Sequence, residues 1–257
     1  MKVLVIPDVH LKPWMFQRAS ELMKETESDR AVCLMDIADD WRQQFNLDLY
    51  IQTFDTTIDF AKEYPETLWC YGNHDVCYLW NQRETGYSKI APWTVCEKLR
   101  VLRESLPDER QLAYLHRIDN VLFSHGGLAD DFVRRYVPAG KYNDIDAVVE
   151  TINGFACGEM WQDASPIWYR PQYYEGRLYK PRKLLQVSPS TTVPGIWRLC
   201  CMAIHIRQRN RSWRSGSKRT SAGVDCAVKR TMSALCGRIT SRRRLKKSLQ
   251  DREGKSR

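Results

Sequence analysis

The feature that most constrains the fold is the apolar run 67–71, which ends directly at a Gly-Asn-His-Asp stretch, residues 72–75. Strand-favouring residues that stop at a glycine are typical of a buried strand, and the side chains after this one can bind a metal or carry a proton. Gly, Asn and Asp also form ordinary turns, so this stretch alone leaves both interpretations open. The rest of the chain has to decide between them.

Three further apolar runs repeat this layout, since acidic or imidazole side chains follow each of them. In an α/β fold, ligands gather outside the carboxyl ends of the strands, so we expect these side chains to lie together. The runs and the residues that follow them are 2–6 with Asp8 and His10, 31–34 with Asp36 and Asp39, and 120–123 with His125.

Apolar residues recur at helical spacing between these runs, over 15–23, 47–61 and 95–106. The alternation of strands and helices predicts an α/β layered fold. Residues 112–118 and 121–123 are predicted to form a hairpin. Residues 129–183 are expected to form a substrate cap: only 145–152 has a helical pattern, and the rest is rich in Trp, Tyr and Arg.

Taken in order, the four stretches resemble the calcineurin-like metallophosphoesterases, whose motifs are D-x-H, G-D-x-x-D, G-N-H-D/E, an H-G-G-like stretch and a final G-H. The resemblance covers roughly residues 1–187 and implies an αββα sandwich with mixed sheets flanked by helices. The H-G-G stretch at 125–127 and the Trp-Tyr-Arg stretch at 168–170 are most similar to the bacterial and phage branch related to serine/threonine protein phosphatases.

The resemblance implies two divalent metal ions. Asp8 and His10 would bind one, Asp36 would bridge both, and Asn73 and His125 would bind the second. Two cations about 3.5 to 4 Å apart can hold a hydroxide between them and neutralise phosphoryl oxygens, which suits phosphate ester hydrolysis. We expect Mn, and Fe or Zn also suits Asp and His ligands.

The same resemblance assigns the proton chemistry to His74, which would face the leaving-group oxygen as general acid. Asp75 beside it would orient the ring and favour its charged form. For Asp39 two interpretations stay open, a structural carboxylate that holds its loop and an outer-shell role behind the site.

Arg170 matches the arginine that follows tryptophan in the bacterial branch, and a planar guanidinium suits bidentate phosphate binding. An ordinary surface arginine is the alternative. His116 lies in the middle of a predicted strand, and we predict a structural role for it.

Three departures from the family pattern stand out. Met35 occupies a position where glycine is usual, so either the backbone differs there or a side chain crowds the metal. Asp40 replaces an arginine that contacts phosphate in protein phosphatases. No G-H motif follows residue 187, where the chain reads Ser-Pro-Ser-Thr-Thr. His205 lacks the preceding glycine, and we interpret it as a core residue rather than a ligand.

Basic charge is concentrated in residues 189–257, which hold 18 basic and 3 acidic side chains and no Phe or Tyr. We therefore predict a domain over 1–187 and a basic, disordered tail over 188–257. One hypothesis is that the coding frame was lost near residue 188, and the other is a natural extension that binds nucleic acid. Resequencing the DNA around codon 187 separates them.

The sequence has no apolar stretch near the roughly 18 residues of a membrane span and no signal-like segment at its start. Nine cysteines without a C-x-x-C pair indicate reduced thiols. We expect a soluble cytoplasmic metallophosphoesterase that acts on phosphomonoesters, such as a phosphoprotein or a nucleotide. The alternative is a non-catalytic remnant with a polyanion-binding tail. The sequence indicates no oligomeric state.

Overall fold

The structure is a computed structural model that describes residues 1–171, 176–180, 183–188 and 202–206. Its strands are β1 (Lys2–Ile6), β2 (Arg30–Cys33), β3 (Leu68–Cys70), β4 (Leu112–Ala113), β5 (Leu115–Ile118), β6 (Val121–Ser124), β7 (Leu185–Val187) and β8 (Met202–His205). Its α-helices are α1 (Trp14–Thr26), α2 (Leu47–Glu63), α3 (Asn73–Leu79), α4 (Pro92–Ser105), α5 (Asp130–Tyr136), α6 (Ile145–Asn153) and α7 (Cys157–Met160).

Several helices begin at residues that favour a helix start. The side chain of Asn46 accepts a hydrogen bond from the backbone N–H of Leu49 at the start of α2, and Asp144 caps α6 in the same way. Pro92 occupies the first turn of α4, where its missing N–H costs nothing. These helices cover the stretches for which the sequence predicts helical periodicity.

The strands form two sheets. The first has the order β4-β3-β2-β1-β8, with parallel pairing from β4 to β1 and antiparallel pairing of β8 with β1. The second has the order β5-β6-β7, in which β5 and β6 are antiparallel and β6 and β7 are parallel. This is the mixed α/β arrangement that the sequence predicts.

Each sheet has one face toward the other sheet and one face toward helices. Val3, Val5 and Val32 of the first sheet share an apolar cluster with Phe123 and Val187 of the second. The alternate residues of the same strands point the opposite way, because side chains along a strand alternate between its faces. They join a larger core with residues of the surrounding helices, among them Leu4, Ile6, Phe16, Phe54, Leu99, Leu122, Val148 and Ile152.

The predicted hairpin is correct for β5 and β6 but wrong at its start. Residues 112 and 113 belong to β4 and pair with β3 in the first sheet, and the chain crosses to the second sheet at Tyr114. The side-chain oxygen of Asn153 accepts from the backbone N–H groups of Tyr114 and Leu115, at 3.1 and 2.9 Å, which satisfies the backbone where the ladder breaks.

The segment 129–183, predicted as a cap, has two parts in the described residues. The predicted helix over 145–152 is confirmed as α6, and its buried residues Val148 and Ile152 belong to the core beside β5. This part therefore covers a sheet rather than a site. The irregular stretch 161–171 is the part that reaches the carboxyl ends of the strands.

The register of β8 pairs His205 with Lys2, at the amino end of β1. The first sheet thus includes one strand, β8, from the stretch 188–257. Residues 189–201, where the final G-H motif is expected, and 207–257 lie outside the described residues. Within the described part of the chain, no helix has the length and apolar character needed to cross a membrane.

Candidate metal centre

Three candidate ligands lie together at the ends of β1 and β2. One potential ligand atom from each of Asp8, His10 and Asp36 lies within 4.8 Å of the others. Hydrogen bonds between the two loops hold them in place, because the N–H groups of residues 9, 10 and 11 donate to the carbonyls of residues 35, 36 and 37 at 3.1, 2.7 and 3.0 Å. The loops therefore continue the pairing of the two strands and present these side chains side by side.

The backbone of the same loops is strained. Left-handed conformations of residues other than glycine cost of order 1–3 kcal/mol each and persist only where the surroundings enforce them. Five such residues lie here, namely His10 (φ 44°), Leu11 (φ 52°), Met35 (φ 54°), Asp36 (φ 45°) and Asp39 (φ 65°). The strain is concentrated at the candidate ligands and their immediate neighbours.

The carboxylate of Asp36 lies against the turn between β3 and α3. A Cβ atom on Gly72 would lie 2.0 Å from the Oδ1 atom of Asp36, so only glycine fits at this position. The same Oδ1 accepts a hydrogen bond of 2.9 Å from the backbone N–H of His74. The glycine of the Gly-Asn-His-Asp stretch thus makes room for the carboxylate of a different loop.

Two histidines present the same ring nitrogen to Asp36. The Nδ1 atoms of His10 and His125 donate to the carbonyls of Asp39 and Leu34, at 3.0 and 2.8 Å. Their Nε2 atoms lie 3.8 and 3.0 Å from Oδ2 of Asp36. A backbone carbonyl that binds Nδ1–H is the usual second partner of a metal-bound histidine, because it leaves the Nε2 lone pair for the metal.

The electrostatics of these groups call for positive charge near Asp36. Burial acts to lower the pKa of His125, but the carboxylates of Asp36 and Asp8 outweigh it and raise that pKa. Burial acts to raise the pKa of Asp36, and the neighbouring histidines, His125 first, hold it below its ordinary value. A proton or a metal cation meets this demand.

Asp8 supplies a further indication. Its Oδ1 atom is buried, lies 3.5 Å from Nδ1 of His125 and has no hydrogen-bond partner in the described part of the chain, and burial raises the pKa of this carboxyl against the opposing effect of His125. A buried carboxylate oxygen without a hydrogen bond needs an explanation, and a bound ion is one. The oxygen and imidazole donors assembled here fit a divalent cation such as Mn, Fe or Zn.

The remaining predicted ligand, Asn73, is the first residue of α3 and is 3% exposed. It follows Gly72 directly and so lies at the same edge of the first sheet. His125 follows β6 of the second sheet and is fully buried. The two sheets therefore both deliver side chains to the region around Asp36.

His74 contacts a carboxylate, but not the one predicted. Its Nδ1 atom lies 3.0 Å from Oδ2 of Asp39, whose other oxygen accepts from the hydroxyls of Tyr50 at 2.7 Å and Tyr78 at 2.5 Å. Burial acts to lower the pKa of His74, but Asp36 and Asp39 outweigh it and raise that pKa to about 9. Asp39 is therefore the residue that orients the ring, and its carboxylate is fully buried.

The predicted contact of Asp75 with the His74 ring is wrong. The Asp75 carboxylate accepts hydrogen bonds from the backbone N–H groups of Asp36 at 2.8 Å, Ile37 at 2.9 Å and Gly72 at 3.2 Å. Consecutive residues of a helix point in different directions, and an acidic residue in the first turn reaches back to the helix start. Asp75 thus fixes the backbone of the Asp36 loop.

Arg170 reaches the same place from the irregular stretch. Its Nη2 atom lies 2.9 Å from Nε2 of His125. The H-G-G stretch holds this segment, since the N–H groups of Gly126 and Gly127 donate to the carbonyls of Pro166 and Tyr169 at 2.5 and 2.8 Å. The predicted phosphate-binding residue therefore lies at the candidate centre.

Two of the departures now have a structural account. Met35 adopts the left-handed conformation that glycine would adopt without strain, and its side chain is buried in the apolar core. Asp40 lies 3.8 Å from the ammonium of Lys12, which also donates to the carbonyl of His10 at 2.8 Å. Sequence reasoning missed Lys12, although the acidic residue at position 40 was a signal that a basic partner lay nearby.

His116 has different partners from the histidines around Asp36. The Nε2 atom of His116 lies 3.1 Å from the carbonyl of Trp69, and burial lowers the pKa of this side chain to about 4. Its predicted structural role fits these contacts. The backbone pairing of His205 with Lys2 is at the end of β1 opposite to Asp8.

A family model described as calcineurin-like phosphoesterase matches residues 1–190. Among solved structures, the chain is similar to a cold-active protein-tyrosine phosphatase of a psychrophilic Shewanella species, with 17% identity over 68% of this chain and 58% of that chain and a TM-score of 0.38. A mutant of a cold-active protein tyrosine phosphatase has 16% identity over 71% and 60% of the chains and a TM-score of 0.40. This chain thus spans less than two thirds of either structure. Curated protein sequences gave no match.

Proposed function

The chain belongs to the calcineurin-like phosphoesterase family, and from this premise we propose that it is a metal-dependent phosphatase whose centre is organised by Asp36. The observation that supports this most strongly is the convergence of His10 and His125 on one carboxylate oxygen, at 3.8 and 3.0 Å. Both rings are fixed through Nδ1 by backbone carbonyls, so both offer Nε2 to a cation.

In this proposal Asp8, His10 and Asp36 would hold one divalent cation, and Asp36, Asn73 and His125 would hold a second. When bound, such cations stabilise charge on phosphoryl oxygens and lower the pKa of a water molecule. Mn is our proposed metal, because hard carboxylate oxygens and imidazoles both suit it, as they suit Fe and Zn. The strained loops fix the ligands before any substrate arrives.

We propose His74 as the general acid that donates a proton to the leaving-group oxygen. Its Nδ1 is bonded to Asp39 at 3.0 Å, which fixes the ring and leaves Nε2 as the atom that can pass on a proton. The hydroxyls of Tyr50 and Tyr78 bind the other oxygen of Asp39 and so fix the carboxylate in turn.

Arg170 is proposed to bind the phosphate group. A guanidinium only donates hydrogen bonds, so Nε2 of His125 acts as acceptor in their 2.9 Å contact. The same lone pair cannot also bind a metal. A cation held by His125 would therefore leave Arg170 free to donate to two oxygens of the substrate phosphate.

The proposed substrates are phosphomonoesters, either a phosphoprotein or a nucleotide. Arg170 after Trp168 supports the branch of the family that is related to serine/threonine protein phosphatases. A cytoplasmic location stays a prediction from the sequence.

Hydrolysis of p-nitrophenyl phosphate with added Mn tests the proposal. We expect the purified chain to be active and the Asp36→Asn variant to lose activity by about a thousandfold or more, because His10 and His125 both converge on this carboxylate. Asp59→Asn, a change at an exposed position of α2, is the matched control and should be fully active. Equal activity of the chain and its Asp36→Asn variant would contradict the proposal.

A further inference from the structure

Beside the proposed centre lies a tryptophan that the family motifs do not use. Trp41 follows Asp39 and Asp40 in the loop between β2 and α2, and it is 51% exposed. Its ring centroid lies 5.3 Å from that of His10 and 5.4 Å from that of His74. The two histidine rings are 5.2 Å apart, so the three rings form one group at the mouth of the site.

The indole is fixed in this exposed position. Gly86 has a φ of 85°, and a Cβ atom there would lie 3.3 Å from two atoms of the indole, so the backbone of residue 86 approaches Trp41 closely. The loop around it is bonded back to the core, because the N–H of Ser88 donates to the Tyr78 hydroxyl at 2.8 Å and its Oγ donates to the Gln44 carbonyl at 2.5 Å.

A ring that served only to support the two histidines would be most effective if it were covered. Half of this side chain is instead open to solvent, although exposing it forgoes the hydrophobic stabilisation that burial of an indole provides. The exposed half of the Trp41 indole therefore offers an aromatic surface next to His74 that another ring can contact. Aromatic pairs prefer offset or edge-to-face arrangements with centroids about 4.5 to 7 Å apart.

We infer that Trp41 is a platform for the leaving group of the substrate and gives the enzyme a preference for phosphate esters that carry a flat aromatic ring. The inference rests on the proposed function, in which His74 donates a proton to the leaving-group oxygen. The group attached to that oxygen then lies within reach of the indole, which touches His74. The ring can be the phenyl group of phosphotyrosine or the base of a nucleotide.

The first test compares kcat/KM for phosphotyrosine, a nucleoside monophosphate and phosphoserine in the unchanged protein and in Trp41→Phe and Trp41→Leu. One of the two aromatic substrates should be preferred by the unchanged protein. For that substrate, we expect Trp41→Leu to lower kcat/KM about two- to tenfold more than it does for phosphoserine. Trp41→Phe should retain most of that preference. The aromatic substrate whose kcat/KM falls more in Trp41→Leu identifies the source of the ring, a phosphotyrosine or a nucleotide.

An equal loss for all three substrates would overturn the inference, because it would mean that Trp41 only supports the histidine rings. No loss for any substrate would also overturn it. Trp93→Leu is the control, since Trp93 is 78% exposed and makes no ring contact among the described residues.

A binding measurement separates this inference from the proposed function. Calorimetry with phenylphosphonate and ethylphosphonate, which are not hydrolysed, should show tighter binding of the phenyl compound by about two- to tenfold, and Trp41→Leu should abolish that difference. If hydrolysis fails while this difference is present, the proposed function is wrong and the aromatic platform stands. Equal binding of the two phosphonates would overturn the platform.

Discussion

His116 lies in β5 and His125 lies directly after the neighbouring strand β6, and both are buried, yet their surroundings differ completely. His116 lies within β5 and has the Trp69 carbonyl as its partner, and burial lowers its pKa to about 4. His125 lies just beyond β6 and faces Asp36 and Asp8 as well as a carbonyl, and these carboxylates raise its pKa. Burial alone therefore does not mark a functional histidine, whereas converging carboxylates do.

The backbone shows the same contrast. Inside the sheets the strands are extended and their side chains fill two apolar clusters. At the strand ends, residues 10, 11, 35, 36 and 39 adopt left-handed conformations that the surrounding hydrogen bonds enforce. Packing in the interior stabilises the fold. The strained backbone at the strand ends costs part of that stability and fixes charged groups in place.

The largest effect is expected for Asp75→Ala, which removes the acceptor that holds the strand-end backbone. The buried N–H groups of Asp36 and Ile37 would lose their partner, and each unsatisfied group costs about 1–3 kcal/mol. We expect the free energy of unfolding in urea to fall by about 3–5 kcal/mol. Asp75→Asn keeps one acceptor oxygen and should cost less. If the free energy of unfolding fell by less than about 1 kcal/mol, the backbone at the strand ends would not depend on Asp75.

A slightly smaller effect is expected from acid acting on His116 in the sheet interior. Its pKa in the folded state is about 4, below its ordinary value of 6.5, so between these values the unfolded chain takes up a proton that the folded chain does not. This contribution to stability is complete above about pH 6.5 and falls as the pH drops, by about 2 to 3 kcal/mol at about pH 4.5.

Urea unfolding of the unchanged protein and of His116→Gln at about pH 7.5 and pH 4.5 isolates this contribution, because the other titrating groups are common to both. The variant should lose about 2 to 3 kcal/mol less than the unchanged protein on acidification. The same loss in both proteins would place the acid sensitivity elsewhere.

Met35 joins the two regions, since its backbone is strained at the site and its side chain lies in the core. Met35→Ala and Met35→Gly both remove the side chain, but only glycine also removes the strain. We expect the glycine variant to be more stable than the alanine variant by about 1–2 kcal/mol in urea unfolding. The control is Ala31→Gly in the extended β2, which should be destabilising by about 0.5–1 kcal/mol. A glycine penalty at both positions would contradict the assignment of strain to the site.

The smallest effect is expected at the rim of the centre. Arg170→Lys keeps the charge but loses the planar fork, so we expect kcat/KM for p-nitrophenyl phosphate to fall about fivefold. The control is Arg117→Lys: Arg117 lies on β5 and pairs with Asp146, so this change should leave kcat/KM unaltered. Unchanged kcat/KM in Arg170→Lys would assign Arg170 to the surface role that the sequence left open.

The sequence predicts most of the architecture, because apolar runs followed by Asp and His give both the strands and the edge at which those side chains meet. It does not predict which carboxylate faces His74. Asp75 is adjacent in sequence, but helix geometry turns it toward the Asp36 loop, and Asp39 arrives from another loop. The sequence also does not predict the break between β4 and β5, because the backbone there is satisfied by Asn153, which is 38 residues from Leu115. Trp41 lies in a loop without any periodicity.

The measurement that tests the central claim most directly is a calorimetric titration of the purified chain with Mn²⁺, beside Asp36→Asn and Asp59→Asn. If the side chains at the strand ends form a metal centre on Asp36, the unchanged chain and the Asp59→Asn variant bind the ion alike, and the Asp36→Asn variant binds it at least about a hundredfold more weakly. Binding of equal strength in all three proteins would mean that the cluster around Asp36 is not the metal centre.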